Sequence, residues 1–211
     1  MTDISDTQLY GQVDLSTTGL LPVGWVDSVM QTISRYAVRV ELDGSYALRS
    51  EEEPVSKTKM QVVTGDVIAS GMGWISSLYR GEILQLAEKF AAYPLACSED
   101  QASAININVL ERSGSIYERH TDQSALTAVL FASSSLGRGG ELVLEHPNRG
   151  EIRIEPHEGS LVIFWGGEVA HSVSPLSEDW TRVSIPMNFY RAHETQEDRA
   201  KLNSYLYTPA Q

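Results

Sequence analysis

The segment EIRIEPHEGSLVIFW, from Glu151 to Trp165, carries the clearest signal of the fold class. It contains two short apolar or alternating runs, Glu151–Ile154 and Leu161–Trp165, with turn residues from His157 to Gly159 between them. Short runs rich in β-branched and aromatic residues are typical of strands, and a Gly-containing turn between them marks a change of chain direction. The stretch therefore predicts two consecutive strands.

The same pattern continues on both sides of this stretch. Glycine, proline and serine clusters, such as Gly137 to Gly140, separate one run from the next. The eight predicted strands are Ala104–Leu110, Ile116–Asp122, Leu126–Ala132, Glu141–Leu144, Glu151–Ile154, Leu161–Trp165, Val169–Val173 and Thr181–Tyr190. Eight short strands at this spacing predict a jelly-roll, also called a double-stranded β-helix, in a mainly β (α+β) chain.

Outside this region the chain has a mixed character. Val26–Ala37 and Trp74–Tyr93 carry apolar residues three and four apart, which predicts supporting helices, and Val38–Leu42 alternates like a strand. The remaining expectations are an irregular lead-in over residues 1–22, a loop over Ser50–Lys59 and a polar surface helix over Glu194–Tyr205.

These patterns predict one domain over residues 1–211. Residues 1–100 are expected to support the core and to supply a substrate lid. Residues 101–192 are expected to form the jelly-roll core, and residues 193–211 a C-terminal tail. The length of 211 residues and the 42% of hydrophobic residues are sufficient for one globular core.

Composition excludes several classes of function. The chain has 16 basic and 28 acidic residues, a net charge of −12, which disfavours nucleic acid and anionic membrane as partners. A single cysteine, Cys97, excludes a disulfide framework or a cysteine-cluster metal site. The N-terminus lacks a basic signal-peptide segment, and no stretch approaches 18 apolar residues, so a cytoplasmic location is expected.

One set of residues in the predicted strands points to chemistry. His120 and Asp122 are two apart in a predicted strand, where side chains two apart share a face. His171 follows on a later predicted strand. Two imidazoles and one carboxylate form the facial triad of non-haem Fe(II) oxygenases, which leaves coordination positions open.

A positively charged side chain, that of Arg182, follows this triad along the chain. Arg182 and Ser184 share a face of the last predicted strand. A guanidinium offers a rigid bidentate fork to a carboxylate, and the hydroxyl can assist it. A metal triad with an inward arginine therefore indicates an anionic cosubstrate, bound to iron at one end and to Arg182 at the other.

The order His-x-Asp, His, Arg-x-Ser resembles the Fe(II)/2-oxoglutarate-dependent dioxygenases, and the surrounding sequence is most similar to their prolyl-4-hydroxylase-like branch. The stretches that carry the resemblance are Gly114 to Asp122, Gly139 to Leu142 and Ile152 to Phe164. The resemblance extends over about residues 104–190. The first hundred residues resemble no family in this way.

The resemblance implies that His120, Asp122 and His171 bind Fe(II), and that Arg182, with Ser184, binds the C5 carboxylate of 2-oxoglutarate. It also implies use of O2, with ascorbate as a further cofactor. Leu130 stands where some protein-prolyl hydroxylases use a tyrosine to hold 2-oxoglutarate.

Three polar residues are candidates for the contact with 2-oxoglutarate that this tyrosine makes in those hydroxylases. They are Asn106, Asn108 and Tyr117. By strand parity Tyr117 should face away from His120, unless Gly114 or Ser115 bends the strand.

The implied reaction is hydroxylation of an unactivated C–H bond, with release of succinate and CO2. The carboxylate of Asp122 favours hydroxylation over halogenation, because halogenating relatives have a small residue at this position. A free amino acid or small metabolite is favoured as substrate, since Arg182 replaces the lysine of collagen-type members.

Two alternatives to this function remain open. The chain could be a prolyl hydroxylase acting on a protein or peptide, or a non-enzymatic cupin-like metal-binding module. The oligomeric state is left open.

Other residues have simpler interpretations. His146, His157 and His193 lie in or after turns and are expected to be solvated. Trp74 and Trp165 are expected to pack in the core.

Overall fold

Two antiparallel sheets form the frame of the molecule, in a computed structural model that describes residues 8–45, 47–48, 58–196 and 200–209. The strands are β1 (Tyr10–Asp14), β2 (Val38–Leu42), β3 (Thr58–Val63), β4 (Leu95–Cys97), β5 (Ile107–Leu110), β6 (Tyr117–His120), β7 (Leu126–Phe131), β8 (Leu142–His146), β9 (Gly150–Ile154), β10 (Ser160–Phe164), β11 (His171–Val173) and β12 (Arg182–Arg191).

Short helices support the sheets, mostly from the N-terminal half. They are α1 (Trp25–Tyr36), α2 (Gly65–Gly71), α3 (Gly73–Leu78), α4 (Leu84–Ala91), α5 (Gln101–Ala104) and α6 (Ala200–Tyr207). A 3-10 turn covers Leu15–Thr17, and a π-helical turn over Tyr79–Ile83 joins α3 to α4. In the part of the chain that the structure describes, no helix is long and apolar enough to cross a membrane.

The jelly-roll prediction is confirmed. The large sheet has the order β1-β10-β7-β12-β5-β3-β2, with β4 also paired to β12, and the small sheet has the order β6-β11-β8-β9. Strands β5 to β12 correspond to the eight predicted runs and are divided four and four between the sheets. The inner strands β7 and β10 are buried along their whole length, as strands covered on both faces should be.

The expectation of an irregular lead-in is wrong for part of residues 1–22. Strand β1 pairs with β10 in register from Tyr10↔Phe164 to Asp14↔Ser160 and forms one edge of the large sheet. Its residues are only partly buried. A half-exposed edge strand with polar residues lacks the apolar pattern by which strands are recognised.

The predicted helix over Trp74–Tyr93 is confirmed as α3, the π-helical turn and α4 in succession. Gly81 lies within the π-helical turn. Ala92 ends the helix in the left-handed conformation with φ of 60°, two residues before Pro94.

The C-terminal helix differs from the prediction in its surroundings. Helix α6 is not only a polar surface element, because Tyr205, Leu206 and Tyr207 pack against a cluster formed largely by β2 and β3. The loop predicted over Ser50–Lys59 lies outside the described residues except for Thr58 and Lys59, which begin β3. The division of the chain into support, core and tail stays a prediction.

Candidate metal centre and cosubstrate cavity

A cavity of about 170 Å³ lies between the two sheets. Strands β7 and β12 of the large sheet and β6 and β11 of the small sheet supply its inner wall, and α6 contributes to its lining. All seven site residues predicted from the sequence line this cavity: His120, Asp122, His171, Arg182, Ser184, Asn108 and Tyr117.

His120, Asp122 and His171 converge at one end of the cavity. One ligand atom from each lies within 4.8 Å of the other two. The Nε2 atom of His120 is 3.5 Å from Oδ1 of Asp122, and the Nε2 atom of His171 is 3.5 Å from Oδ2. Such a cluster can hold a single metal ion between two imidazoles and one carboxylate.

Strand pairing brings the two histidines together. His171 of β11 lies directly opposite His120 of β6 in the antiparallel register. Asp122, however, lies beyond the end of β6, so the predicted strand ended two residues too late. A backbone hydrogen bond of 2.8 Å from the Asp122 N–H to the carbonyl of Gly166 holds this residue in place instead.

Both imidazoles are oriented by backbone carbonyls. Nδ1 of His120 is 2.7 Å from the carbonyl oxygen of Glu118, and Nδ1 of His171 is 2.9 Å from that of Val169. An Nδ1–H that donates to a carbonyl leaves Nε2 as the lone-pair nitrogen. The two Nε2 atoms, which face Asp122, are therefore suited to binding a metal.

The electrostatics of this cluster keep its carboxylate charged. Burial alone would raise the pKa of Asp122, but the nearby His171 and His120 outweigh it and hold that pKa well below its usual range. Burial lowers the pKa of His171, but Asp122 more than offsets this, so the pKa lies above its usual value. An ionised carboxylate is the form that binds a cation.

Arg182 lies on β12 and is only 3% exposed. Its Nε donates to the carbonyl of Gly140 at 2.8 Å, one of its terminal nitrogens donates to Oγ of Ser184 at 2.8 Å, and the guanidinium lies over the ring of Phe131. Within the described residues no carboxylate is paired with it. Burial lowers the pKa of Arg182 to about 10, which still leaves it cationic at neutral pH.

Ser184 and Asn108 continue this end of the cavity. They lie directly opposite each other in the pairing of β12 with β5. The Asn108 amide makes no hydrogen bond within the described part of the chain, so it can contact a bound molecule. Asn106, by contrast, accepts a hydrogen bond of 2.9 Å from the Tyr207 hydroxyl.

The expectation that Tyr117 faces away from His120 is wrong. Between the pairs His171↔His120 and Val173↔Tyr117, β11 advances by two residues and β6 by three. This extra residue is a β-bulge, which reverses the alternation of side chains along β6. The ring of Tyr117 consequently lies 4.8 Å from that of His120 and lines the same cavity.

The alignment of Leu130 with a cosubstrate-binding tyrosine is also wrong in this structure. Thr127 and Val129 of β7 line the cavity, whereas Leu130 is fully buried in the hydrophobic core. Side chains on a strand alternate between the two faces of the sheet, so Leu130 belongs to the face that points away from the cavity.

Several residues of the site were not predicted. Thr127 donates a hydrogen bond to Oδ2 of Asp122. A Cβ at Gly166 would come within 2.5 Å of that same oxygen, so only glycine fits there. Gly166 and Gly167 stand between two predicted strands in the sequence, but the contact of Gly166 with Asp122 depends on the tertiary fold.

The three other histidines are not among the residues that line the cavity. His157 and His193 are exposed as expected. The expectation that His146 is solvated is wrong, because it is buried at the end of β8, where its Nδ1 accepts a hydrogen bond from the Asn148 N–H. Trp165 packs against Phe90 and Tyr93. The core interpretation of Trp165 is thus confirmed.

Comparison with protein families identifies the class of protein. Residues 105–190 match the model of the 2OG-Fe(II) oxygenase superfamily. Over these residues the sequence resembles that superfamily. The prediction of an iron-dependent and 2-oxoglutarate-dependent dioxygenase is thereby confirmed, and Fe(II), 2-oxoglutarate and O2 are the cofactor and cosubstrates of the family.

Solved structures share the fold of the oxygenase at low identity. A prolyl hydroxylase from Trichoplax adhaerens, solved with a peptide of hypoxia inducible factor, has a TM-score of 0.63 and 18% identity, over 92% of this chain and 90% of that one. The epimerase SnoN, solved with Fe3+, alpha ketoglutarate and nogalamycin RO, has a TM-score of 0.64 and 16% identity, over 96% and 87%.

A viral collagen prolyl hydroxylase from Paramecium Bursaria Chlorella virus-1 has a TM-score of 0.53 and 15% identity, over 90% of this chain and all of that one. At these identities the likeness shows the fold alone. No functionally curated protein matches the chain.

The donor set of the oxygenase fits the family's metal. His120 and His171 each present an Nε2 atom, because the Nδ1 atom of each ring lies against a backbone carbonyl, and Asp122 presents a carboxylate. Two imidazoles and one carboxylate are the donor set of non-haem Fe(II) sites.

Proposed function

We propose that this oxygenase hydroxylates an unactivated C–H bond of a small molecule, either a free amino acid or another metabolite. In this proposal His120, Asp122 and His171 bind Fe(II), and Arg182 binds the C5 carboxylate of 2-oxoglutarate. Bound iron, with 2-oxoglutarate and O2, supplies oxidative decarboxylation to succinate and CO2 coupled to hydroxylation of the substrate. The protein residues supply binding, orientation and exclusion of water.

The observation that carries the proposal is the buried guanidinium of Arg182. A buried charge without a counter-charge is costly, and such groups are normally paired. Among the described residues Arg182 has only neutral partners, so its positive charge has no counter-charge there, and it lies in the same cavity as a cluster suited to iron. A dicarboxylate bound between the two ends would satisfy both charges.

Ser184, Asn108 and Tyr117 have supporting roles in this proposal. Ser184 accepts a hydrogen bond from Arg182 and so holds the guanidinium toward the cavity. Asn108 lies opposite Ser184 and presents its amide to the cosubstrate. Tyr117, beside His120, is placed to contact the cosubstrate or the substrate.

Helix α6 supports a small substrate. Leu202, Tyr205, Leu206 and Tyr207 of this helix line the cavity, and the Tyr205 hydroxyl accepts a hydrogen bond of 3.2 Å from the Gly44 N–H. A cavity lined in part by a helix bonded to the N-terminal half suits a small molecule better than an extended peptide. Prolyl hydroxylation of a peptide remains the second candidate, because a structural neighbour binds a peptide on the same fold.

The proposal is tested by supplying Fe(II), 2-oxoglutarate and a library of amino acids, small metabolites and proline-containing peptides in air. The expected result is succinate release stimulated by a small molecule, with a product heavier by the mass of one oxygen atom. Hydroxylation of a peptide alone would transfer the proposal to the second candidate. Failure of the folded protein to bind Fe(II) or 2-oxoglutarate would overturn the assignment of the site.

Several expectations stay predictions. They concern a stimulation by ascorbate, a cytoplasmic location, and the absence of nucleic acid and membrane partners.

A further inference from the structure

We infer that Thr127 is a positioning residue that fixes the carboxylate of Asp122 in one rotation, with Oδ2 bound to the protein and Oδ1 available to the metal. The inference rests on the proposed role of Asp122. The Thr127 hydroxyl lies in hydrogen-bond contact with Oδ2. In this contact the Thr127 hydroxyl donates its single proton to the Asp122 carboxylate.

A second hydroxyl, that of Ser124, lies next to Thr127 and does not compete for its proton. Oγ of Ser124 lies 3.2 Å from Oγ1 of Thr127 and 3.0 Å from Oδ1 of Asn188. Nδ2 of Asn188 donates to the carbonyl of Ser103 at 2.7 Å, which fixes the amide so that Oδ1 faces Ser124. Ser124 therefore donates to Asn188, and the Thr127 proton remains directed to Asp122.

The surroundings leave this hydroxyl little freedom. Thr127 is 3% exposed, Ser124 is 1% exposed, and Thr127 lies opposite Asn188 in the pairing of β7 with β12. The backbone of Gly166 covers the contact, since a Cβ there would collide with both Thr127 and Asp122. The hydrogen bond to Asp122 is therefore made by a buried threonine on an inner strand of the large sheet.

Fixing the carboxylate has a consequence for the metal. Two imidazoles and one carboxylate oxygen occupy three positions of an octahedral ion and leave three open for ligands. A carboxylate free to rotate can bind through both oxygens and take a fourth position. By binding Oδ2, Thr127 favours the one-oxygen mode that leaves room for a chelating cosubstrate and O2.

The test compares Thr127→Val, which keeps the shape and removes the hydroxyl, with Thr127→Ser, which keeps the hydroxyl. Thr32→Val is the matched control, because it removes a threonine hydroxyl bonded to the Ser28 carbonyl in α1. Binding of Mn(II) or Co(II) is measured by calorimetry, and the Co(II) absorption spectrum reports the coordination number.

Thr127→Val is expected to weaken metal binding by about 10-fold or more and to alter the Co(II) spectrum, as removal of an outer hydrogen bond typically does. Thr127→Ser should restore both properties, and Thr32→Val should leave them unchanged. Unaltered affinity and spectrum in folded Thr127→Val would overturn the inference.

Should Thr127→Val not fold, Thr127→Ala serves in its place. It also removes the hydroxyl that donates to Asp122, so it should weaken metal binding by a similar factor; unaltered affinity and spectrum would overturn the inference. Failure of the unmodified protein to bind either metal would instead overturn the proposed metal site. The two failures are therefore distinguishable.

Discussion

The two ends of the cavity differ in how the protein surrounds a buried charge. At the metal end, Asp122 lies 3.5 Å from the imidazole of each histidine, so its negative charge has neighbours within the protein. At the other end, Arg182 is almost fully buried and has only neutral partners among the described residues. The metal end has a full set of protein ligands for the proposed iron. The Arg182 end has a buried cation whose anionic partner, in our proposal, is 2-oxoglutarate.

This difference predicts distinct failures at the two ends. Loss of a residue at the metal end should prevent metal binding, and with it all turnover. Loss of Arg182 should leave the metal bound and weaken only the cosubstrate. Five variants, given in order of decreasing expected effect, test this comparison.

The largest effect is expected for His171→Ala and Asp122→Ala. Each removes one of three ligands, so we expect loss of Fe(II) or Mn(II) binding and of succinate formation to the limit of detection. His157→Ala, at an exposed histidine outside the cavity, is the control. Normal turnover in either ligand variant would show that the metal binds elsewhere.

Arg182→Ala comes next. Loss of one partner of a buried charge pair costs about 2–5 kcal/mol, so the KM for 2-oxoglutarate should rise about 100-fold or more. Mn(II) affinity and the KM for the substrate should change much less. Arg153→Ala, at an exposed arginine paired with Glu151, is the control. A larger effect on metal than on 2-oxoglutarate would contradict the separation of the two ends.

Gly166→Ala should have a smaller effect, confined to the metal end. The added methyl group collides with the Asp122–Thr127 contact, and such overpacking typically costs about 1–3 kcal/mol of stability. We expect weaker Mn(II) binding and a lower midpoint of urea unfolding. Gly81→Ala, where an added Cβ meets nothing within 4 Å, is the control. Equal behaviour of the two variants would mean that Gly166 does not constrain the site.

The smallest effect is expected for Tyr207→Phe. It removes the hydrogen bond to Asn106, worth about 1 kcal/mol, and keeps the ring. The KM for the prime substrate should change by several-fold, while binding of 2-oxoglutarate stays within about twofold. Tyr36→Phe, on an exposed tyrosine of α1, is the control. A larger change for 2-oxoglutarate would place α6 against the cosubstrate.

Much of the core was predictable, because the relevant signals are local. Alternating residues and glycine turns mark β5 to β12, and apolar spacing marks α1 and the helix from α3 to α4. Strand β1 was missed because an edge strand is half exposed and shows no such pattern. The packing of α6 was missed because its partners, β2 and β3, lie far away in the sequence.

The same distinction applies to the site. The spacing of His120 and Asp122 and the order of His171, Arg182 and Ser184 are local or sequential signals that a motif can carry. The bulge in β6 that turns Tyr117 toward His120 is a mismatch between two strands, so neither strand shows it alone. Leu130 was placed on the wrong face because one residue of register reverses a strand.

The fold class, the proposed metal-binding residues and the cationic Arg182 could be predicted from the sequence, because each depends on residue types and their order. The folded chain was needed to show that Arg182 has no acidic partner among the described residues, that Thr127 and Gly166 contact Asp122, and that α6 lines the cavity. These properties depend on which distant segments meet when the chain folds, and contacts between distant segments follow from packing and strand register.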